Sequence, residues 1–452
     1  MPPPPSLPAP PPRDFARVAF VVSAFAFVFA YGFAVGSFNV FPYGVIITGV
    51  NALREVRDSW RTDTGLRPNL FLEPARYAGT GVTRHDDARM APGLTLVAEF
   101  IDGGNELRLL RADGTVLRRW PVRFATLFPK PDHLQPPTLV PISEWHAELH
   151  DALLLPDGAA VFNFEGIGLA KVGRCGEVIW TLPRMVHHSI APAGDGGFWV
   201  GSKHFVTTAS PYPHVRTPFH DETVMKVSAD GVVQDEFPVL DALIHSAPGA
   251  FYGGAGFGVP SGDMIHLNDV EPLDAARAAA FPQFAAGDLL VSLRGLSLIG
   301  VLRPSTHRFV WTQVGMWSRQ HDPDFQANGH ITVFSNNTIE PGAVPDAKAG
   351  TPDPLGASTI VDLDPVTGAS RVLYGGTPEQ PFYSAYRGKH EVLDNGNLLI
   401  VESNAGRVLE VTPSGEPVWE YVNRFDATDA AVVYQARRYP ESYFTVSDWT
   451  CR

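Results

Sequence analysis

Cysteine is nearly absent: Cys175 and Cys451 are the only two in 452 residues. A disulfide framework is therefore excluded, while a single bridge between the two stays open. Nor can two cysteines so far apart assemble a thiolate zinc site. Charge is also scarce, at 18% of residues against a usual ~25%. Of the charges present, 35 are basic and 48 acidic, a net −13, with no basic stripe. That balance excludes nucleic acid as the main partner. No G-x-x-x-x-G-K-[ST] loop and no G-x-S-x-G elbow occurs, so neither a phosphate-cradling loop of that kind nor a serine-hydrolase turn is read. No cofactor is implied.

What is abundant is glycine (42) and proline (41), the signature of a chain rich in turns. A single core rarely grows past ~250–300 residues, so this length calls for several domains or a repeat. Residues 1–14 are Pro-rich and read as a disordered tail. From Val18 to Leu53 there is no charged side chain, and about 20 apolar residues suffice to cross a bilayer. Residues 15–40 are therefore expected to form a transmembrane anchor, with a cleaved signal peptide or a hairpin through Phe41–Val50 as the rival readings. Arg13 and Arg17 on one side and Arg54, Arg57 and Arg61 on the other leave the positive-inside rule nearly silent. Residues 41–80 read as a juxtamembrane linker, in which 51–61 form a short amphipathic helix.

Beyond residue 80 the chain repeats. A histidine is followed eight residues later by a glycine that opens a β-rich run: His85…Gly93, His150…Gly158, His188…Gly196 and His321…Gly329. His390…Gly396 is two residues shorter, and His266…Gly287 is stretched by DAARAAAFPQF, which reads as a short helix. Each run is followed by alternating residues, a tight turn and an aromatic: Trp120, Trp180, Phe237, Trp311, Tyr374 and Trp419. Six copies of a four-stranded unit predict an all-β, six-bladed β-propeller over 81–425, preceded by one transmembrane helix and followed by a C-terminal extension, 426–452. The aromatics are expected to fill the wedges between blades.

Innermost strands line a propeller's channel, so His85, His150, His188, His266, His321 and His390 are expected to converge as a ring near one mouth. Any one imidazole can simply cap its strand; six in one register point to the handling of an anion, or to a metal. Clustered imidazoles disfavour one another's protonation and stay nucleophilic near pH 7. Carboxylates beside them (Asp86, Asp87, Asp151, Asp322, Glu391) point away from the channel by strand alternation, and no metal site is read. The run Tyr252–Gly262 reads as a mobile loop over the channel.

Three segments resemble the bacterial aryl sulfate sulfotransferases. They are His187-His188 opening a blade that closes with DETVMKVSADG; DMIHLNDVEPL followed by LLVSLRG with Arg294; and RQHDPDFQANGHITVFSNN, Arg319–Asn337. Met264 and Asn268-Asp269 depart from the family pattern, as do the ten-residue insertion and the missing N-terminal β-domain. The resemblance implies sulfuryl transfer from an aryl sulfate donor to a phenolic acceptor, without a nucleotide, in the periplasm. It implies His321 as nucleophile, Arg294 and His266 at the sulfuryl oxygens or leaving phenolate, and His188 as general base. Tyr252 and Phe257 would stack on the aryl ring. The competing class is a membrane-tethered propeller that binds a protein partner or an anionic ligand without turnover. A metal-dependent lyase or hydrolase is the remaining alternative.

Overall fold

Apolar runs separated by glycine-centred turns form six antiparallel sheets, the blades of a six-bladed β-propeller. The computed structural model describes residues 15–38, 42, 60–254, 261–338 and 356–451. The chain divides into two units, Met1–Arg67 and Pro68–Arg452. In the first, Phe15–Phe38 is a 24-residue helix of mean hydropathy 2.3 over its most apolar window. Phe15, Phe20, Phe25, Phe29 and Phe33 are all exposed. At 1.5 Å per residue the helix is long enough to cross a bilayer, and its composition fits an anchor or a signal sequence alike. Residues 1–14 and 51–59, expected as tail and most of an amphipathic helix, lie outside the described residues.

In the second unit, blades 2 to 5 each run from inner to outer strand in chain order. Their inner strands are Leu149–Leu154, Val186–Pro192, Leu267–Pro272 and His321–Phe325, and blade 6 opens with Lys389–Val392. Glycines at the first turn, such as Gly158 (φ 82°) and Gly196 (φ 85°), hold the left-handed conformation that the reversal requires. The expected helix in the 274–284 insertion is only a 3-10 turn, Ala278–Ala280.

Blade 1 is built from both ends of the chain. Its three outer strands run from Leu94–Ile101 to Val116–Val122, but its inner strand is Val433–Tyr439, paired from Val433↔Glu99 to Tyr439↔Leu94. Residues 426–452, expected as an extension beyond the propeller, thus close its ring. Gly81–His85 meanwhile pairs with Pro417–Val422 as a fifth, outermost strand of blade 6.

Each sheet covers its neighbour. Six apolar clusters of buried side chains occupy the six seams between blades. The blade aromatics sit where expected: Trp120 and Trp419 are fully buried, and indole Nε1 donors reach the adjacent blade from Trp120 to Gly173 O (3.2 Å), from Trp180 to Ala229 O (2.9 Å) and from Trp419 to Ala112 O (2.8 Å).

The tail after the closing strand docks on blades 1 and 2. Trp449 joins the cluster at their seam, 6.3 Å from Trp120, and Thr445 N donates to Pro156 O at 2.8 Å. Cys451 is bonded to Cys175, a bridge that spans 276 residues of sequence. A bridge of that span acts chiefly by restricting the unfolded chain, typically by about 2–4 kcal/mol. Cys451→Ser should therefore lower the melting temperature by several degrees, and reductant should do the same to the native chain. An unchanged melt would show that strand pairing alone seals the ring.

Candidate active site

Five inner strands share a local irregularity at the same end. Pairing with the second strand shifts register between Leu149 and Ala152, His187 and Ile190, Leu267 and Asp269, His321 and Asp324, and Val433 and Gln435. Such bulges re-aim side chains and often border active sites. His150 and His188 lie within such shifts, His321 opens one and His266 immediately precedes another, and His188 and His266 adopt positive φ angles of 56° and 51°. Their rings meet: centroids are 4.2 Å apart for His150–His188, 5.0 Å for His188–His266 and 6.4 Å for His188–His321. With Glu148, Glu165, Arg294, Tyr386 and Arg387 they line a cavity of about 210 Å³. Arg294 follows the second strand of blade 4, and its backbone N donates to His266 O at 2.9 Å, which ties the two residues together.

The six-histidine ring is thus corrected to four. His85 lies on the outermost strand of blade 6 with its side chain 43% exposed, because the chain enters the propeller on the outside and blade 1 takes its inner strand from the C-terminal end. His390 does sit on an inner strand, but its repeat is two residues short and lacks the bulge. It therefore falls one step further along the channel, where Nδ1 meets Asp322 Oδ2 (3.1 Å) and Nε2 meets Thr332 Oγ1 (2.7 Å). That stretch is a second cavity of about 480 Å³, with Asp269, Glu271, Asp322, Asp324 and Lys389 in its wall. Tyr252 does not line the histidine cavity: it lies in the helix Pro248–Gly254, and its OH donates to Pro213 O at 3.1 Å. Phe257 lies outside the described residues.

His321 is the most tightly specified of the four. Asn336 Nδ2 donates to two carbonyls, Ser384 O (2.9 Å) and Arg387 O (2.7 Å), so its Oδ1 must face His321 Nδ1, 2.7 Å away. Nδ1 is then the protonated nitrogen, and Nε2 carries the lone pair. Burial, then the Arg294 charge and the neighbouring imidazoles, hold the His321 pKa well below the usual histidine range. Burial followed by His150, His266 and His187 does the same to His188, and burial brings His150 down to about 4. His188 Nδ1 contacts His187 Nδ1 (3.0 Å) and Glu165 Oε2 (3.4 Å). His266 is different: its Nδ1 is 2.5 Å from Asp263 Oδ2. Burial works against that carboxylate, yet the hydrogen bond and charge of His266 keep Asp263 ionised well below the ordinary range. Three imidazoles are poised as bases or nucleophiles, and the fourth is backed by a carboxylate.

Among the described residues, two side-chain sets have metal-ligand spacing, His150–Glu165–His188 and Asp322–Asp324–His390. In the second, Lys389 Nζ lies 2.9 Å from Asp322 Oδ1 and already supplies a positive charge. Sequence reasoning missed Asn336, Arg387, Asp263 and Glu165. The run Asn336-Asn337 at a strand end was the visible signal for the first, and Arg387's register one residue ahead of the histidine position was the signal for the second.

A family profile described as arylsulfotransferase (ASST) matches residues 151–424. No curated protein matches the chain. Among solved structures, a protein of unknown function from Bacteroides caccae is 14% identical over 76% of this chain and 98% of that one, with a TM-score of 0.45. A streptogramin B lyase is 12% identical over 78% and 87%, at 0.39. TolB from Acinetobacter baumannii is 11% identical over 76% and 66%, at 0.41. Likeness at that level carries nothing about function.

The hydrogen-bond pattern makes a spectroscopic prediction. Nitrogen-15 shifts of His321 should report a neutral ring with the proton on Nδ1 at pH 7, and Asn336→Ala should give a mixture of tautomers. A mixture in the native protein would remove the argument for Nε2.

Proposed function

Because the chain belongs to the arylsulfotransferase family, we propose that it carries a sulfuryl group from an aryl sulfate to a phenol by way of a sulfohistidine on His321. The observation that carries this reading is the fixed tautomer: a buried, neutral imidazole with its Nε2 lone pair free, beside an arginine, inside a cavity of single-ring size. In the first half-reaction the Nε2 lone pair attacks sulfur and the sulfur–oxygen bond to the aryl group breaks. The bonding pair leaves on the phenolate oxygen, which takes a proton from His266, the imidazole backed by Asp263. Arg294 neutralises the charge that builds on the sulfuryl oxygens; its guanidinium stays protonated throughout.

In the second half-reaction the acceptor phenol gives its proton to His188 and its oxygen attacks sulfur. The nitrogen–sulfur bond breaks, and its electron pair returns to His321 Nε2. The proton on His188 must then pass back to His266, whose ring lies edge-on 5.0 Å away. The scheme needs neither nucleotide nor metal. We assign the propeller to the extracytoplasmic side: the Phe15–Phe38 helix suits an anchor or export signal, and a Cys175–Cys451 bridge persists in an oxidising compartment.

Incubating the full chain with a chromogenic aryl sulfate and no acceptor should add one sulfuryl group by intact mass, with one equivalent of phenol released. His321→Ala should show neither, and Arg294→Gln should slow uptake by about 10²–10³-fold. A folded protein that gains no mass across several donors would shift the reading to a binding platform. The pH dependence follows from the histidine shifts. His321 has its pKa pushed below 6.5, so it has already lost its proton when the pH reaches neutrality. The rate of sulfuryl uptake should therefore show no rise through about pH 6–7; a rise there would mean an ordinary, exposed imidazole.

A further inference from the structure

Arg387 stands in the wall of the same cavity with most of its donor face unused. It precedes the inner strand of blade 6 in a left-handed backbone conformation, φ 60°. A non-glycine residue keeps that conformation only where its surroundings over-determine it, and such positions gather at functional sites. Here the cause is visible: the Arg387 carbonyl accepts from Asn336 Nδ2, the side chain whose other end orients His321. Arg387 and the nucleophile are thus held by one amide.

The guanidinium is equally constrained. It lies 5.3 Å from the Tyr386 ring and 5.9 Å from the Tyr434 ring, and Nε donates to Glu148 Oε1 at 2.6 Å. Among the described residues no acceptor meets its terminal nitrogens, although the side chain is only 12% exposed. Burial works against its charge, and Glu148 more than offsets this, so the group stays cationic. A buried fork with two open donors matches the two oxygens of a carboxylate. Glu148 already balances much of the charge, which favours a singly charged planar anion over a second sulfate. Pockets for drug-sized ligands span about 300–1,000 Å³, so a cavity of about 210 Å³ suits one substituted ring.

We propose that Arg387 binds a carboxylate on the substrate's aromatic ring, which makes hydroxybenzoate-type phenols and their sulfate esters the substrate class. This inference rests on the sulfuryl-transfer reading. With a single nucleophile, leaving and entering oxygens must both stand opposite Nε2, so donor and acceptor rings occupy one place in turn. Arg387 therefore selects both partners.

The test combines binding with turnover on the full chain. Arg387→Gln would strand Glu148 without a counter-charge and risks misfolding; Arg387→Lys keeps the charge but loses the fork. Calorimetry should find benzoate bound at least ~10-fold more tightly by the native protein than by Arg387→Lys, at equal melting temperature. The ratio of kcat/KM for 4-hydroxybenzoate over phenol should fall by at least ~10-fold in the variant, mainly through KM. Equal benzoate affinity in the two proteins, or an unchanged ratio, overturns the proposal. Arg387-dependent benzoate binding without any sulfuryl uptake would leave the carboxylate site standing and sink the transferase; uptake without benzoate binding would do the reverse.

Discussion

Apolar burial between neighbouring sheets is the constraint on which the rest of this molecule depends. Every blade presents two hydrophobic faces, and only a closed ring covers all of them, which is why six clusters fill six seams. Closure brings the heads of the inner strands together around one axis. The side chains of the cavity do not hold themselves there: His150, His188, His266 and His321 share few bonds with one another, and each is placed by the sheet behind it. The indole donors that cross from Trp120, Trp180 and Trp419 add register to that packing, since each fixes one blade's outer edge against the next.

Along the axis, chemistry divides by charge. At one end the walls carry imidazoles kept neutral by burial and by one another; further along they carry carboxylates. Asp269 and Glu271 are both pushed up to about 7, burial being the larger cause, while Lys389 pairs with Asp269 (3.3 Å) and Asp322 (2.9 Å) between them. The two stretches meet within single strands: His321 faces one and Asp322 and Asp324 the other, as do His188 and Ser189. A bulge at the junction makes consecutive residues serve different chambers, which regular alternation would not allow.

Much of the fold was legible because its turn glycines and wedge aromatics recur at fixed offsets. The same offsets bring His150, His188 and His321 to one cavity, since a histidine eight residues before the turn glycine falls in or beside the register shift. His390 breaks that rule by two residues and lands in the other chamber. His85 fails for another reason: a repeat has phase but no beginning, and nothing local says that the ring is cut between the outer strand of blade 6 and the inner strand of blade 1. The tail near Val433–Tyr439 lacks the histidine and the turn glycine, so its role as a strand was hidden. Asn336 and Arg387 were illegible for want of geometry. Their importance lies in one amide that faces His321 on one side and two carbonyls on the other, carbonyls that lie 48 and 51 residues away in sequence.

The cavity's lining runs from Glu148 to Arg387 and comes entirely from blades 2 to 6, whereas the strand that seals blade 1 is Val433–Tyr439. During synthesis, then, every site residue is made before the ring can shut. Until that late strand emerges, the apolar seams on either side of blade 1 lack the residues that Val433–Tyr439 adds to them. The ring is completed only at the end of elongation, so a chain cut shortly before residue 433 would carry every residue of the cavity wall without the strand that closes the ring.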